Sequence, residues 1–349
     1  MKTSCLRITA VSATLAMSAL VAPAFAVELG DRIDLHGYGF QTYAQASANS
    51  YMGADTHGTW DNNFLGLVMA ATLTDKSKVW AQLESSSGGG TNFTWFFGDY
   101  DLTDSVRLHA GRVKLPLGFY NEIIDAKSLQ PAALEPALYQ SAADMVHDAY
   151  QGAGVDYEQD LAGGHVRWQA WGGNVYDVAP PVDLRDRRAF GGRVTYQTPV
   201  SGLTVMVSGY RTQVQRLADG SMVNEDRGIL SAGFANDAWD VKAEYAKHKF
   251  AGVDSHAWYV QGGYALTSKW KPYARYDYVN TDQSHPNDPA FQQKTWVAGV
   301  GYRLDDSIGL KLESHFNHGY ALPVAEGSVA AGAGTRSWNL VVLAADFAF

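Results

Sequence analysis

Apolar and polar residues alternate with a period of two along most of the chain. Trp239, Val241, Ala243 and Tyr245 interleave with Asp240, Lys242 and Glu244. Val106, Leu108 and Ala110 interleave with Arg107 and His109, and Val166, Trp168 and Ala170 with Arg167 and Gln169. A period of two puts successive side chains on opposite faces of a strand. The pattern predicts sixteen strands, over 32–47, 60–73, 78–85, 92–102, 105–114, 149–158, 164–174, 188–198, 202–212, 226–235, 238–249, 256–267, 269–279, 293–304, 307–317 and 336–349. Helical periodicity is nearly absent.

The connections alternate too. Every second one is short and rich in turn formers, as in Thr103-Asp104, Asn236-Asp237 and Asp305-Asp306. The others are expected to be longer, near 48–59, 86–91, 115–148, 175–187, 213–225, 250–255, 280–292 and 318–335. An even strand count, strands of about 9–11 residues, and short turns facing long loops describe a barrel that spans a bacterial outer membrane. Closing the sheet pairs every backbone group, which is what permits strands in lipid. A secreted β-sandwich is the competing fold, but a Greek key gives no such alternation of loop length. The expected class is therefore all-β: a sixteen-stranded antiparallel transmembrane β-barrel with an inward-folded constriction loop.

Composition agrees. Charged residues are only 18 % of the 349, and Tyr, Phe and Trp number 19, 14 and 10. The net charge of -9 argues against a nucleic-acid surface. Residues 1–26 carry Lys2 and Arg7, an apolar run from Ile8 to Val21, and the small-x-small end Ala24-Phe25-Ala26. They read as a secretory signal peptide, leaving 27–349 as one barrel domain. The single cysteine, Cys5, lies in that leader, so the expected mature chain has neither a disulfide nor a thiolate metal site. No cofactor is expected.

The segment 115–148 is too apolar for a solvated loop: Leu117, Phe119, Tyr120, Ile123, Ile124, Leu129, Leu134, Leu138 and Met145 need something to pack on. The economical placement is inside the barrel, narrowing the lumen. Its acids Glu122, Asp125, Glu135, Asp144 and Asp148 outnumber its single cation, Lys127. By strand parity Arg107, Arg167, Arg193, Lys242, Arg275, Arg303 and Lys311 point inward. A cationic wall opposite an acidic loop would orient dipolar solutes and select ions. Strict alternation puts Arg112 on the lipid face, so it is expected either to be re-aimed by a bulge at Gly111 or to sit at the rim; with Lys114 it is counted with the lining.

The run Gly111-Arg112-Val113-Lys114-Leu115-Pro116-Leu117-Gly118 resembles the G-R-x-K-x-P-x-G segment of the phosphate-selective porin O and P group, where it precedes the constriction loop. The layout of the whole chain resembles that of Gram-negative general porins. The resemblance implies a homotrimeric, sixteen-stranded, solute-conducting porin in the outer membrane. Its partners would be membrane lipid and small hydrophilic solutes or ions. The arginine ladder and lysine ring behind phosphate specificity in that group do not map onto this sequence. The terminal run Leu-Val-Val-Leu-Ala-Ala-Asp-Phe-Ala-Phe resembles the last strand of outer-membrane proteins, where an aromatic such as Phe349 is read by the insertion machinery.

Trp60, Trp239, Trp258, Trp270, Trp296, Trp338, Tyr276, Tyr302 and Phe349 suit the aromatic girdles at the two interfaces. Trp80, Trp171 and Tyr273 have lumen parity and could stack on a sugar. His315 and His318 fall on opposite faces, so no metal set converges. No G-x-S-x-G, P-loop or H-E-x-x-H run occurs, so the chain is not expected to be an enzyme. A barrel enzyme and a partner-docking barrel are the alternatives to the porin.

Overall fold

The computed structural model describes residues 27–28, 31–86, 89–176, 184–216, 219–323 and 334–349. The signal-peptide expectation falls on residues outside these. The strands are β1 Val27–Glu28, β2 Ile33–Ala46, β3 Asn63–Thr74, β4 Ser77–Ser86, β5 Gly90–Thr103, β6 Val106–Lys114, β7 Ala149–Leu161, β8 Gly164–Tyr176, β9 Leu184–Gln197, β10 Leu203–Arg216, β11 Met222–Ala235, β12 Trp239–Phe250, β13 Val253–Tyr264, β14 Trp270–Asn280, β15 Gln292–Arg303, β16 Ile308–Gly319 and β17 Ser337–Ala348. Each of the sixteen expected strands is present. The short β1 pairs only with the start of β2.

From β2 to β17 each strand pairs antiparallel with the next, and β17 returns to β2 with Val342 opposite Ala44 and Phe347 opposite Gly39. The sheet is therefore a closed, sixteen-stranded barrel without a free edge. The outward face is apolar. Phe190, Trp296 and Leu230 are 64 %, 61 % and 58 % exposed. Exposed apolar side chains in a continuous belt suit lipid rather than water. Trp239, Trp258, Trp270, Trp296, Tyr276 and Tyr302 all stand on this outward face.

Three expectations are corrected. The connection expected over 250–255 is only Ala251-Gly252, both with positive φ (51° and 88°), a tight hairpin turn. Similarly β10 runs to Arg216 and β11 starts at Met222. The strand ends there carry Gln213, Gln215 and Asn224, polar residues that look like loop in sequence although they remain in the ladder. Trp338 is not a girdle residue. It points inward, 2 % exposed, donates to the Gly319 carbonyl at 3.1 Å and meets Tyr51 edge-on at 5.4 Å. Both faces of β17 are apolar, so hydrophobicity could not assign its parity.

On the inner face of β6, β7 and β8, Gly111, Gly152 and Gly173 stand in register. A Cβ on Gly152 would lie 2.0 Å from the Gly172 carbonyl oxygen. The nearby Tyr150 and Trp171 rings stack at 4.5 Å, in space that larger side chains at these positions would take. Gly152→Val is expected to lower barrel stability by about 2 kcal/mol or more, since rigid backbone must shift. Denaturant unfolding in detergent checks this, and unchanged stability would show that the close approach does not matter.

Candidate functional site

The segment 115–148 cannot continue as strand or regular helix, because Pro116, Pro131 and Pro136 interrupt it. It folds into four single 3-10 turns, Asn121–Ile123, Lys127–Leu129, Ala137–Tyr139 and Ser141–Ala143. Its neck is closed by Leu115 N–H donating to the Asp148 carbonyl at 2.9 Å. The Asn121 amide clamps the same neck, donating to the carbonyls of Leu115, His147 and Asp148 at 2.9, 3.1 and 3.1 Å.

The segment touches Gln82 on β4, Ser208 on β10, Glu244 on β12, Asp277 on β14 and Glu313 on β16. Strands so far apart around the ring can be reached together only from within. The apolar residues flagged in the sequence find their partners there. Leu115, Leu117, Tyr120, Leu134, Leu138 and Met145 are buried against Ile229, Tyr259, Leu340 and Val342. Phe119, Ile123 and Ile124 are partly buried on the same cluster. The hydrophobic core thus lies inside the barrel.

Irregular backbone in such a place needs partners from outside itself. Three wall carboxylates supply them. Glu244 accepts from Phe119 N–H at 2.9 Å, Tyr139 Oη at 2.6 Å, Tyr259 Oη at 2.8 Å and Ser231 Oγ at 2.5 Å. Burial, then the Glu244 carboxylate, push the Tyr139 phenol well above its ordinary range, so it stays a donor. Glu313 accepts from Ala133 and Leu134 N–H at 2.7 and 3.4 Å, and from Tyr273 Oη at 2.6 Å. Asp277 accepts from Ala137 N–H at 3.2 Å. In return Arg275 donates to the carbonyls of Leu134 and Glu135, at 2.9 and 3.3 Å, and pairs with Asp277 at 2.8 Å.

The candidate site residues fall into two groups. Within the segment lie Lys127 and Glu135 and beneath it Lys114, Arg193, Arg275 and Lys311, all buried. Lys114 bridges Asp125, at 2.6 Å, and Asp148. Lys127 pairs with Glu135, and Lys311 donates to the Lys127 carbonyl and pairs with Asp346 at 3.1 Å. Arg193 pairs with Glu122 at 2.5 Å. These groups hold the segment down instead of facing an open passage. Arg107, Arg167 and Lys242 are half-buried on the inner wall and paired with Asp101, Asp156 and Asp240.

Two further residues lie away from this interior, Arg112 at the rim, the second of its two expected places, and Arg303 at a turn. Arg112 stands on the outward face, opposite Phe96 and Gln151, and donates to the Phe93 carbonyl at 3.1 Å. Register does not slip at Gly111, so no bulge re-aims it; it lies two residues from the end of β6, at the rim. A rim arginine avoids most of the cost of about 2–4 kcal/mol that it would meet at the bilayer midplane. Arg303 keeps inward parity but is exposed at the short-turn end of β15. Asp144 is held by Arg227 at 2.8 Å, beside His147 and Glu225. Arg227, Glu244, Asp277 and Glu313 were not singled out in the sequence. Their inward parity is the available signal; the acids among them alternate with the wall's cations on the same face.

On the β5–β8 side the segment does not cover the wall. A cavity of about 60 Å³ remains there, lined by Asp99, Arg107, His109, Glu122, Asp156 and Arg167 among others. Trp171, though buried, also lines this cavity; Trp80 donates to Asp99 at 3.0 Å, and Tyr273 is buried.

Glu244→Ala would leave several buried donors without an acceptor. A stability loss of about 2–4 kcal/mol is expected, with new protease cleavage between 115 and 148 while the barrel stays closed. Denaturant unfolding and limited proteolysis check it; a segment that stays protected would show that Glu244 is not its anchor.

No family model matches the chain, and no curated protein matches it in sequence. Solved structures do match in fold. The anion-selective porin from Comamonas acidovorans superposes with a TM-score of 0.62 at 15 % identity, covering 91 % of this chain and 99 % of that one. The outer membrane channel DcaP of Acinetobacter baumannii gives 0.62 at 11 %, covering 91 % and 97 %. The trimer form of OmpT from Vibrio cholerae gives 0.58 at 14 %, covering 91 % and 99 %. The architecture of this chain is thus that of the Gram-negative outer-membrane porins.

Proposed function

We propose that the chain forms a water-filled outer-membrane channel for passive diffusion of small hydrophilic solutes and ions. The observation that carries this reading is the one-sided seating of the 115–148 segment. It is fastened to β2, β4, β9–β14, β16 and β17 and leaves the charged inner wall of β5–β8 facing a cavity. Arg107, Arg167 and His109 would line the passage from the wall side, and Glu122 from the segment side. Fixed opposite charges across a narrow aqueous path act on dipolar and ionic solutes by field rather than by chemistry, so the reading assigns no catalytic residue. The likeness to a trimeric OmpT supports a homotrimer, and Phe349 at the end of the last strand supports recognition by the insertion machinery.

In planar bilayers the folded protein is expected to give stepwise, ohmic conductance. Its absence from a folded, inserted preparation would sink the reading. In a salt gradient, Arg107→Gln/Arg167→Gln removes two positive charges from the passage. The reversal potential should move toward cation preference, with the cation-to-anion permeability ratio rising roughly twofold or more.

A further inference from the structure

The inner wall of a water-filled barrel is ordinarily polar. On β4 and β5 it carries large rings instead. Trp80, Trp95 and Phe97 have inward parity, and all three are half-exposed. Gln82, two residues along from Trp80 and opposite Trp95, reaches Asp125 of the inward segment, which fixes this face as the inner one. Trp80 stands directly across the ladder from Phe97, and the Trp95 and Phe97 rings are 5.8 Å apart. Among the described residues, none of the three belongs to the apolar cluster that the 115–148 segment builds. The rings therefore keep part of their surface toward the lumen. Aromatic surface beside a cavity is where a flat apolar face of a solute can lie.

Phe97 also lines the cavity of about 60 Å³ beside β5–β8. That room takes a few water-sized groups. Its polar groups are fixed in place. Trp80 Nε1 holds Asp99 at 3.0 Å, and Gln169 is held between Arg193 at 2.8 Å and Asp156 at 3.2 Å. The charges of the lining balance, with Asp99, Glu122 and Asp156 against Arg107, Lys114 and Arg167. Each cation is already paired: Arg107 with Asp101 and Arg167 with Asp156, both at 2.5 Å, and Lys114 with Asp125 at 2.6 Å and with Asp148. A charged solute gains little from groups so matched. One donor is left over. Trp171 is 5 % exposed and lines the cavity, and its indole N–H has no acceptor among the described residues. A buried donor without a partner is costly, and an uncharged oxygen can satisfy it.

An uncharged sugar ring matches both halves of this surface. Its C–H face is flat and apolar, and its rim carries hydroxyls that donate and accept. We propose that this wall binds an uncharged pyranose, with its C–H face on Trp95 and Phe97 and its hydroxyls in the cavity against Asp99, Gln169 and the Trp171 N–H. The wall selects by ring shape instead of net charge, so ionic solutes pass a site that retains the sugar. The proposal rests on the channel reading for the solute's access to the lumen and names one class of solute that is held there.

The test uses the full chain folded in a detergent without a sugar headgroup. It is titrated in saturation-transfer NMR with methyl β-D-glucopyranoside, with sorbitol, which has hydroxyls but no ring, and with glucuronate, which has the ring and a charge. The pyranoside is expected to bind about tenfold more tightly than either. Trp95→Ala/Phe97→Ala should weaken it by about tenfold. Trp171→Phe keeps a ring but removes the N–H, and should weaken it by about fivefold. Trp296→Ala, on the outward face, should leave it unchanged. Should the double variant fail to fold, Trp171→Phe and the comparison of the solutes on the parent decide the matter. Equal binding of pyranoside and sorbitol, tighter binding of glucuronate, or unchanged affinity in the inner-wall variants would overturn the proposal. A parent that binds the pyranoside without conducting would defeat the channel reading and leave this site standing, and one that conducts without preferring the pyranoside would do the reverse.

Discussion

A stretch of chain with no regular hydrogen bonding lies inside the barrel, and its backbone groups must be satisfied by the wall. That requirement organises the interior. It explains why carboxylates occur on an inner wall that already faces an acid-rich segment. Glu244, Glu313 and Asp277 are acceptors for main-chain and phenol donors, and Arg275 returns the favour to main-chain carbonyls. Buried charges are tolerated there because each is paired and hydrogen-bonded, as low-dielectric surroundings demand. Polar and apolar contacts cooperate: Tyr120, Tyr139 and Tyr259 pack on one another while their hydroxyls reach Gln261 and Glu244.

The Gly-Arg-x-Lys-x-Pro-x-Gly run gains a physical meaning residue by residue. Gly111 adopts φ 143° where a Cβ would strike the Phe96 carbonyl. Lys114 ties the two ends of the inward segment together through Asp125 and Asp148. Gly118, at φ 56°, sits where a Cβ would fall 2.0 Å from the Tyr139 hydroxyl oxygen. The run is a hinge that turns the chain from wall to lumen.

Much of this architecture was legible in the sequence because a period of two is a strong, local signal. Strand number and the outward faces of β6 and β12 followed from it. What was not legible depended on distance in the chain. Nothing local says that Glu244 meets Phe119 or that Arg227 holds Asp144, since these pairs join at contacts only the closed barrel creates. Trp338 was misplaced for a related reason: with apolar residues on both faces of its strand, only the contact with Tyr51 decides its direction. Among the site residues, parity found the inward arginines but not whether each would border a cavity, as Arg107 does, or lie sealed, as Arg275 does.

The join between β17 and β2 differs from every other pairing in the barrel. Its neighbours are separated by nearly the whole described chain; Asn339 N–H reaches a Ser47 hydroxyl 292 residues away. Hairpin neighbours can find one another early, but this pair pays the largest loop-closure entropy and can zip only when all the intervening strands are in place. Until then both partners are raw edges, open to a strand from any other chain. Assembly of this molecule is therefore a race between ring closure and intermolecular pairing, and a surface that could shield the first and last strands would decide it.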